Sequence, residues 1–243
     1  MSEYAIEVKN LSVQYKNIRS FSIKRQLLGR ERRRAEYFEA VKDVSFSLER
    51  GKILGIIGKN GSGKSTMLRA IAGIFSPNSG TVDLHGHSVS LLAIGVGFQL
   101  ELSGRENILL SGLLLGFSEK EIRARMEEII AFSELGGFID KPVRTYSSGM
   151  YSKLAFSITA IMETDIILID EVLSVGDAAF RRKSYAKMKE LIERKDRTVI
   201  MVSHDRKTIL DLCDEVLWIH DGVMMEYGDA QAVYAAYEAS TRR

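Results

Sequence analysis

KILGIIGKNGSGKSTMLRAIAGI (52–74) joins three textures in one stretch. KILGIIG is apolar without alternation, as expected of a strand buried on both faces. GKNGSG is a glycine-rich turn, and Met67, Leu68 and Ile71 then recur at helical spacing. Gly58, Gly63, Lys64 and Ser65 match the pattern Gly-x-x-x-x-Gly-Lys-Ser/Thr, and strand before and helix after are the context that pattern requires. Glycines let backbone N–H groups close around phosphates, and the following helix aims its positive end at them. Gly58, Asn60, Gly61, Ser62, Gly63, Lys64, Ser65 and Thr66 are therefore the candidate phosphate-binding set. Lys64 would reach the terminal phosphates and Ser65 would hold Mg²⁺.

A phosphate loop that turns over also needs a metal ligand and a group that activates water. DIILID (165–170) is a second buried run, and it delivers Asp170 at its end as a metal ligand and Glu171 as a base for the attacking water. An isolated Asp-Glu after a strand is commonly a solvated loop start; the phosphate loop changes its meaning. TVIMVS (198–203) is a third run, and His204 follows it on the sheet edge where ligands of open α/β sheets collect. A lone histidine is otherwise an ordinary surface residue. Gln99, in GVGFQLELSGREN, is on its own an ordinary polar residue at the junction of two regions.

Around these runs the chain divides by periodicity. Ile6/Val8, Leu11/Val13/Tyr15 and Val44/Phe46/Leu48 alternate as half-buried strands do. From Ser118 a capping box with Glu121 opens a helix carrying Ile122, Met126, Ile129 and Ile130, for which Gly136-Gly137 is the expected stop. The layout predicted is one α/β domain: a β-subdomain and core over 1–99 and 161–225, a helical insertion over 100–160 and a C-terminal helix over 226–243. RTYSSGMYSKLAFS (144–157) places Ser147, Ser148 and Gly149 before an apolar helical run, where they serve as an N-cap or as a second anion-binding terminus.

Composition excludes some classes. Lys+Arg 34 against Asp+Glu 32 gives a net charge of +2, too balanced for a dedicated nucleic-acid binder. Cys213 is the single cysteine, so no intrachain disulfide forms and a reduced, cytosolic setting fits. MSEYAIEVKN lacks the basic and apolar regions of a signal peptide. The most apolar windows, 108–117 and 166–170, fall short of the ~20 residues of a transmembrane helix, so any membrane role is expected to run through a partner. The charge is uneven: 16–40 carries Lys16, Arg19, Lys24, Arg25, Arg30, Arg32, Arg33 and Arg34 among Ile18, Phe21, Ile23, Leu27 and Leu28. Such a mixture suits an anionic membrane surface or a phosphate-bearing substrate, although charge runs are usually solvated loops.

Taken in order, these motifs resemble the nucleotide-binding subunit of an ABC transporter across nearly the whole chain: Walker A (58–66), Q-loop Gln99, signature 146–150, Walker B 166–170 with Glu171, D-loop SVGD (174–177) and switch His204. SGRENI (103–108), FSEL (132–135), YSSGM, FSI and SVGDAAF resemble the branch that exports lipid-linked teichoic acids, O-antigens and capsules. The resemblance implies a P-loop, RecA-like α/β core with an N-terminal antiparallel β-subdomain and an inserted helical subdomain. It further implies ATP and Mg²⁺ as cofactors, with Lys64, Glu171 and His204 catalytic and Ser65, Gln99 and Asp170 around the metal. Tyr15 falls where the family stacks an aromatic on adenine, with Tyr37 and Phe38 as rivals, and Asp177 belongs to the D-loop that borders the nucleotide.

The usual signature, Leu-Ser-Gly-Gly-Gln, reads Tyr146-Ser147-Ser148-Gly149-Met150 here, a pattern that branch tolerates. In the family this turn grips the γ-phosphate held by a second copy, so the partners implied are another copy of the chain, head to tail, and a separate permease at the cytoplasmic face of the membrane, with the lipid-linked polymer reached indirectly. Some relatives carry a C-terminal carbohydrate-binding domain, whereas this sequence closes on AVYAAYEASTRR, so sugar recognition is expected in the permease. A soluble ABC ATPase acting on nucleic acid or ribosomes is the alternative; the long coiled coils or fused second cassette of those members are absent from the sequence. A regulatory module without turnover is disfavoured by Glu171 and His204.

Overall fold

A computed structural model describes residues 3–16, 37–92, 95–170, 176–194 and 196–241. Its first half runs β1 (Tyr4–Lys16), β2 (Tyr37–Glu49), β3 (Ile53–Ile57), α1 (Lys64–Ile71), β4 (Ser79–Asp83) and β5 (Val89–Leu91). Three helices follow, α2 (Gly104–Leu114), α3 (Glu119–Ser133) and α4 (Ser148–Met162). The remainder is β6 (Ile166–Ile169), α5 (Ala178–Glu193), β7 (Thr198–Val202), α6 (Arg206–Leu212), β8 (Glu215–His220), β9 (Val223–Asp229) and α7 (Ala230–Thr241).

The strands form one sheet in the order β4-β1-β2-β9-β8-β3-β7-β6-β5. At its centre β3 lies parallel to β7 and β8, and β6 parallel to β7 and β5. β1 is antiparallel to β2 and β4, and Lys42 opposite Val223 bridges that part to β9. The apolar runs lack alternation because both faces of the central strands are covered. Leu54, Ile56, Leu168, Ile200 and Val202 point into one core with Met67 and Leu68 of α1; Ile57, Ile167, Ile169, Val199 and Met201 point into the other, with Phe156 and Phe180. Each such side chain, fully buried, stabilises the fold by about 1.5–3 kcal/mol. A third core, built from Ile108, Ile122, Met126, Ile129, Leu154 and Ile158, holds α2, α3 and α4 together as the helical part.

Some boundaries move from their expected places. α3 stops at Ser133, before Gly136-Gly137, because Glu134 takes the left-handed conformation (φ 58°) with its carboxylate held by Lys183 Nζ at 2.9 Å. The glycines belong to a 3₁₀ turn, Gly136–Phe138. The C-terminal helix begins at Ala230 and not at 226, since Glu226–Asp229 still pair with β8. Asp229 then caps it, accepting from the N–H groups of Gln231 and Ala232 at 3.0 Å. The helical part reaches Met162, two residues past its expected end at 160. Of the basic segment 16–40, Lys16 closes β1 and Tyr37–Ala40 open β2; residues 17–36 lie outside the described residues. Among the described residues no helix is long and apolar enough to cross a membrane.

Candidate functional site

The carboxyl ends of β3, β6 and β7 lie along one sheet edge, and the chain places Gly58, Asp170 and His204 just beyond them. Gly58 is required at its position: φ is +148°, and a Cβ would sit 2.1 Å from the Ile219 carbonyl oxygen. Gly63, at the N-cap of α1 with φ +105°, would put a Cβ 2.1 Å from the Ala40 carbonyl oxygen. Because Gly63 has no side chain, the first amides of α1 have no side-chain cap, as an anion-binding terminus requires.

Inside this loop Lys64 is buried and donates from Nζ to the carbonyls of Gly58 (2.7 Å) and Lys59 (2.8 Å). The Ser62 hydroxyl is buried with no hydrogen-bond partner among the described residues. A buried polar atom without a partner is costly, and a phosphate oxygen bound in the loop would supply that partner. Asn60 and Gly61 are exposed at the loop tip. Ser65 Oγ donates to Asp170 Oδ1 at 3.0 Å, joining two hard oxygen ligands suited to Mg²⁺. Thr66 Oγ1 lies 3.2 Å from the Tyr15 hydroxyl, which ties Tyr15 directly to the loop; its rivals are its neighbours, for Phe38 pairs with Tyr15 and Tyr37 with Lys16. Tyr15 is the least exposed of the three and packs edge-on to Phe75 at 6.0 Å.

Two predicted residues stand further out. His204 is exposed two residues beyond β7. The Gln99 side chain is exposed, while its backbone N–H is accepted by Asn107 Oδ1 at 2.7 Å. Glu171 lies outside the described residues.

Ser147, Ser148 and Gly149 belong to a different layer. α4 packs on α2, α3 and α5, whereas α1 packs on β1, β2 and β7. Ser147 is the N-cap of α4, its Oγ accepting from Met150 N–H at 3.2 Å, and Ser147 and Ser148 are exposed. A Cβ on Gly149 would lie 3.8 Å from Gly176 Cα, so this turn abuts Gly176. Asp177 is not free to reach a ligand in this state. Its carboxylate accepts from Lys153 Nζ at 2.7 Å and from Ala179 and Phe180 N–H at 2.9 and 3.0 Å, capping α5. The Lys153 ammonium first, and the Phe180 N–H second, hold it well below the usual carboxylate range. Lys153 and Asn107 carry no motif that would single them out. No periodicity pairs 153 with 177, and nothing in the sequence marks Asn107 as the partner of a loop backbone eight residues before it.

A profile of the family described as "ABC transporter" matches residues 41–174, more than half of the chain. The chain is 48% identical over 208 residues to the O-antigen export system ATP-binding protein RfbB of Myxococcus xanthus, covering 86% of this chain and 47% of that protein. It is 46% identical to the Klebsiella pneumoniae protein of the same name, covering 82% and 80%. It is 45% identical to the teichoic acids export ATP-binding protein TagH of Lactococcus lactis subsp. lactis (strain IL1403), covering 88% and 46%. The chain thus spans about half the length of two of these three relatives. Among solved structures, the ATP-binding cassette MJ0796, in a dimeric post-hydrolysis state with ADP and Pi, superposes with a TM-score of 0.67 at 22% identity, covering 93% of this chain and 98% of that one. The ATP-binding subunit of an ABC transporter superposes at 0.69 and 21% identity, covering 96% and 93%. These two show the fold.

Proposed function

Because the chain belongs to the ABC transporter family, we propose that it is the ATP-hydrolysing subunit of an exporter of lipid-linked cell-surface polymer, working through a separate permease at the cytoplasmic face of the membrane. The observation that carries the ATPase part is the Ser65–Asp170 contact at 3.0 Å beside the buried Lys64. It brings a phosphate-loop hydroxyl and a strand-end carboxylate to one point. The identities of 45–48% to O-antigen and teichoic-acid export subunits favour the polymer branch.

ATP is the substrate. The amides of the 58–66 loop and of the α1 terminus take its phosphates, and Lys64 exchanges the Gly58 and Lys59 carbonyls for phosphate oxygens. Tyr15 offers the adenine-stacking face nearest this loop. Mg²⁺, held by Ser65 and Asp170 with Gln99 adding an amide oxygen, would neutralise charge on the phosphates. Glu171 accepts a proton from water as it attacks the γ-phosphorus, the bond to the β–γ bridging oxygen breaks, and His204 borders the transferred group. Ser147, Ser148 and Gly149 complete the site of a second copy, and Asp177 leaves Lys153 to border that shared nucleotide.

The test is ATP hydrolysis by wild type and Glu171→Gln. Loss of the base is expected to cut the rate by about 10²–10⁴-fold while ATP binding persists. Equal rates would remove Glu171 from catalysis, and no hydrolysis by either protein would favour a nucleotide-sensing module.

A further inference from the structure

Asn107 is wholly buried one turn into α2, and its carboxamide is spent on the segment before the helix. Oδ1 accepts from Gln99 N–H at 2.7 Å. Nδ2 donates to the carbonyls of Gln99 (3.0 Å), Leu102 (3.2 Å) and Ser103 (2.8 Å). The amide orientation is unambiguous, because turning it over would face an oxygen to three carbonyls and an NH₂ to an N–H. Four residues on, and so on the same face of the helix, buried Ser111 donates from Oγ to the Val96 carbonyl at 2.6 Å. Between these anchors Leu114 lies so close to Gly97 that a Cβ there would meet its Cδ1 at 2.0 Å. The backbone of Gln99 is therefore gripped at both its N–H and its C=O by one side chain, and the turn leading to it by a second.

We propose that Asn107, seconded by Ser111, is a positioning residue for nucleotide hydrolysis: it fastens the Gln99 backbone to α2, so that the Gln99 amide moves with that helix toward or away from the Ser65–Asp170 pair. Side chains that only packed α2 would not need to bond both polar groups of one exposed residue. Neither Asn107 nor Ser111 is itself catalytic. The inference rests on the reading of Gln99 as a metal-side ligand, and the two fail separately in the following experiment.

Two measurements are made on Glu171→Gln protein, in which hydrolysis is arrested. Hydrogen exchange followed by mass spectrometry reads the 95–103 segment, and Mn²⁺ binding in the presence of ATP reads the metal. Asn107→Ala is expected to speed exchange of the Gln99 amide by about tenfold, the scale of one lost hydrogen bond. It should also weaken Mn²⁺ binding in the same direction as Gln99→Ala, and the double variant should be no weaker than Gln99→Ala alone, since coupled residues are not additive. If Gln99→Ala leaves Mn²⁺ binding unchanged, the reading of Gln99 falls. If Gln99→Ala weakens it but Asn107→Ala adds its full effect on top, or leaves exchange at wild-type rates, the positioning role is overturned. Should Asn107→Ala not fold, the same cycle with Ser111→Ala decides: independence from Gln99→Ala overturns the proposal and non-additivity upholds it.

Discussion

At the scale of single residues, two glycines of the phosphate loop separate steric need from conformational need. Gly61 (φ +81°) has open space where a Cβ would stand, whereas at Gly63 (φ +105°) a Cβ would meet the Ala40 carbonyl, backbone that cannot swing away. Gly61→Ala carries only the left-handed penalty of roughly 1–2 kcal/mol. Gly63→Ala adds a clash to that strain and is expected to cost clearly more, a gap that urea unfolding of the two variants reads directly. Equal destabilisation would mean that the β2 carbonyl does not shape the loop. Gly58, Gly63, Lys64 and Ser65 stand out in the sequence because their spacing is local, and Asp170 because a buried apolar run ends on it. Lys153 and Asn107 do not, because each acts on a residue that sequence distance or an exposed loop separates from it. Tyr15 was only half legible: a strand register, not a motif, brings Tyr15, Tyr37 and Phe38 together and leaves Tyr15 on Thr66.

At the scale of elements, α4 has two roles at one end. Ser147 caps it, and capping by Ser, Thr, Asp or Asn is worth about 0.5–2 kcal/mol over Ala. Aspartate caps as well as serine does, but it places a negative charge where a phosphate is proposed to bind. Ser147→Asp is therefore expected to unfold within about 0.5 kcal/mol of wild type and yet to lose ATP-dependent association, with denaturation and light scattering as the paired readouts. Association at wild-type strength in this variant would return Ser147 to a plain cap. Element types were largely legible, since buried runs and helical spacing follow from which faces are covered. Element ends were less so. Glu134 stops α3 through an ion pair with Lys183, 49 residues away, and strand pairing with β8 keeps Glu226–Asp229 extended where composition suggested helix.

At the scale of the whole molecule, the two helix N-termini proposed to hold phosphate lie on different layers among the described residues. One lies at α1 against the sheet, the other at α4 among the helices. Within one chain the second terminus bonds to its own helix and lies against Gly176, and Lys153 ties Asp177 to α4. The helix α4 and Asp177 are therefore joined, with Ser147 and Ser148 exposed, which agrees with the proposal that they meet a phosphate held by another copy. The proposal of a site shared between copies comes from family resemblance, because composition and periodicity carry nothing about a partner. The most direct test is the molecular mass in solution, by light scattering, of Glu171→Gln protein with ATP and Mg²⁺. Two chains are expected with ATP, one chain without it, and one chain with ATP when Ser147→Arg is added. A single chain in all three conditions, or a dimer that survives Ser147→Arg, would contradict it.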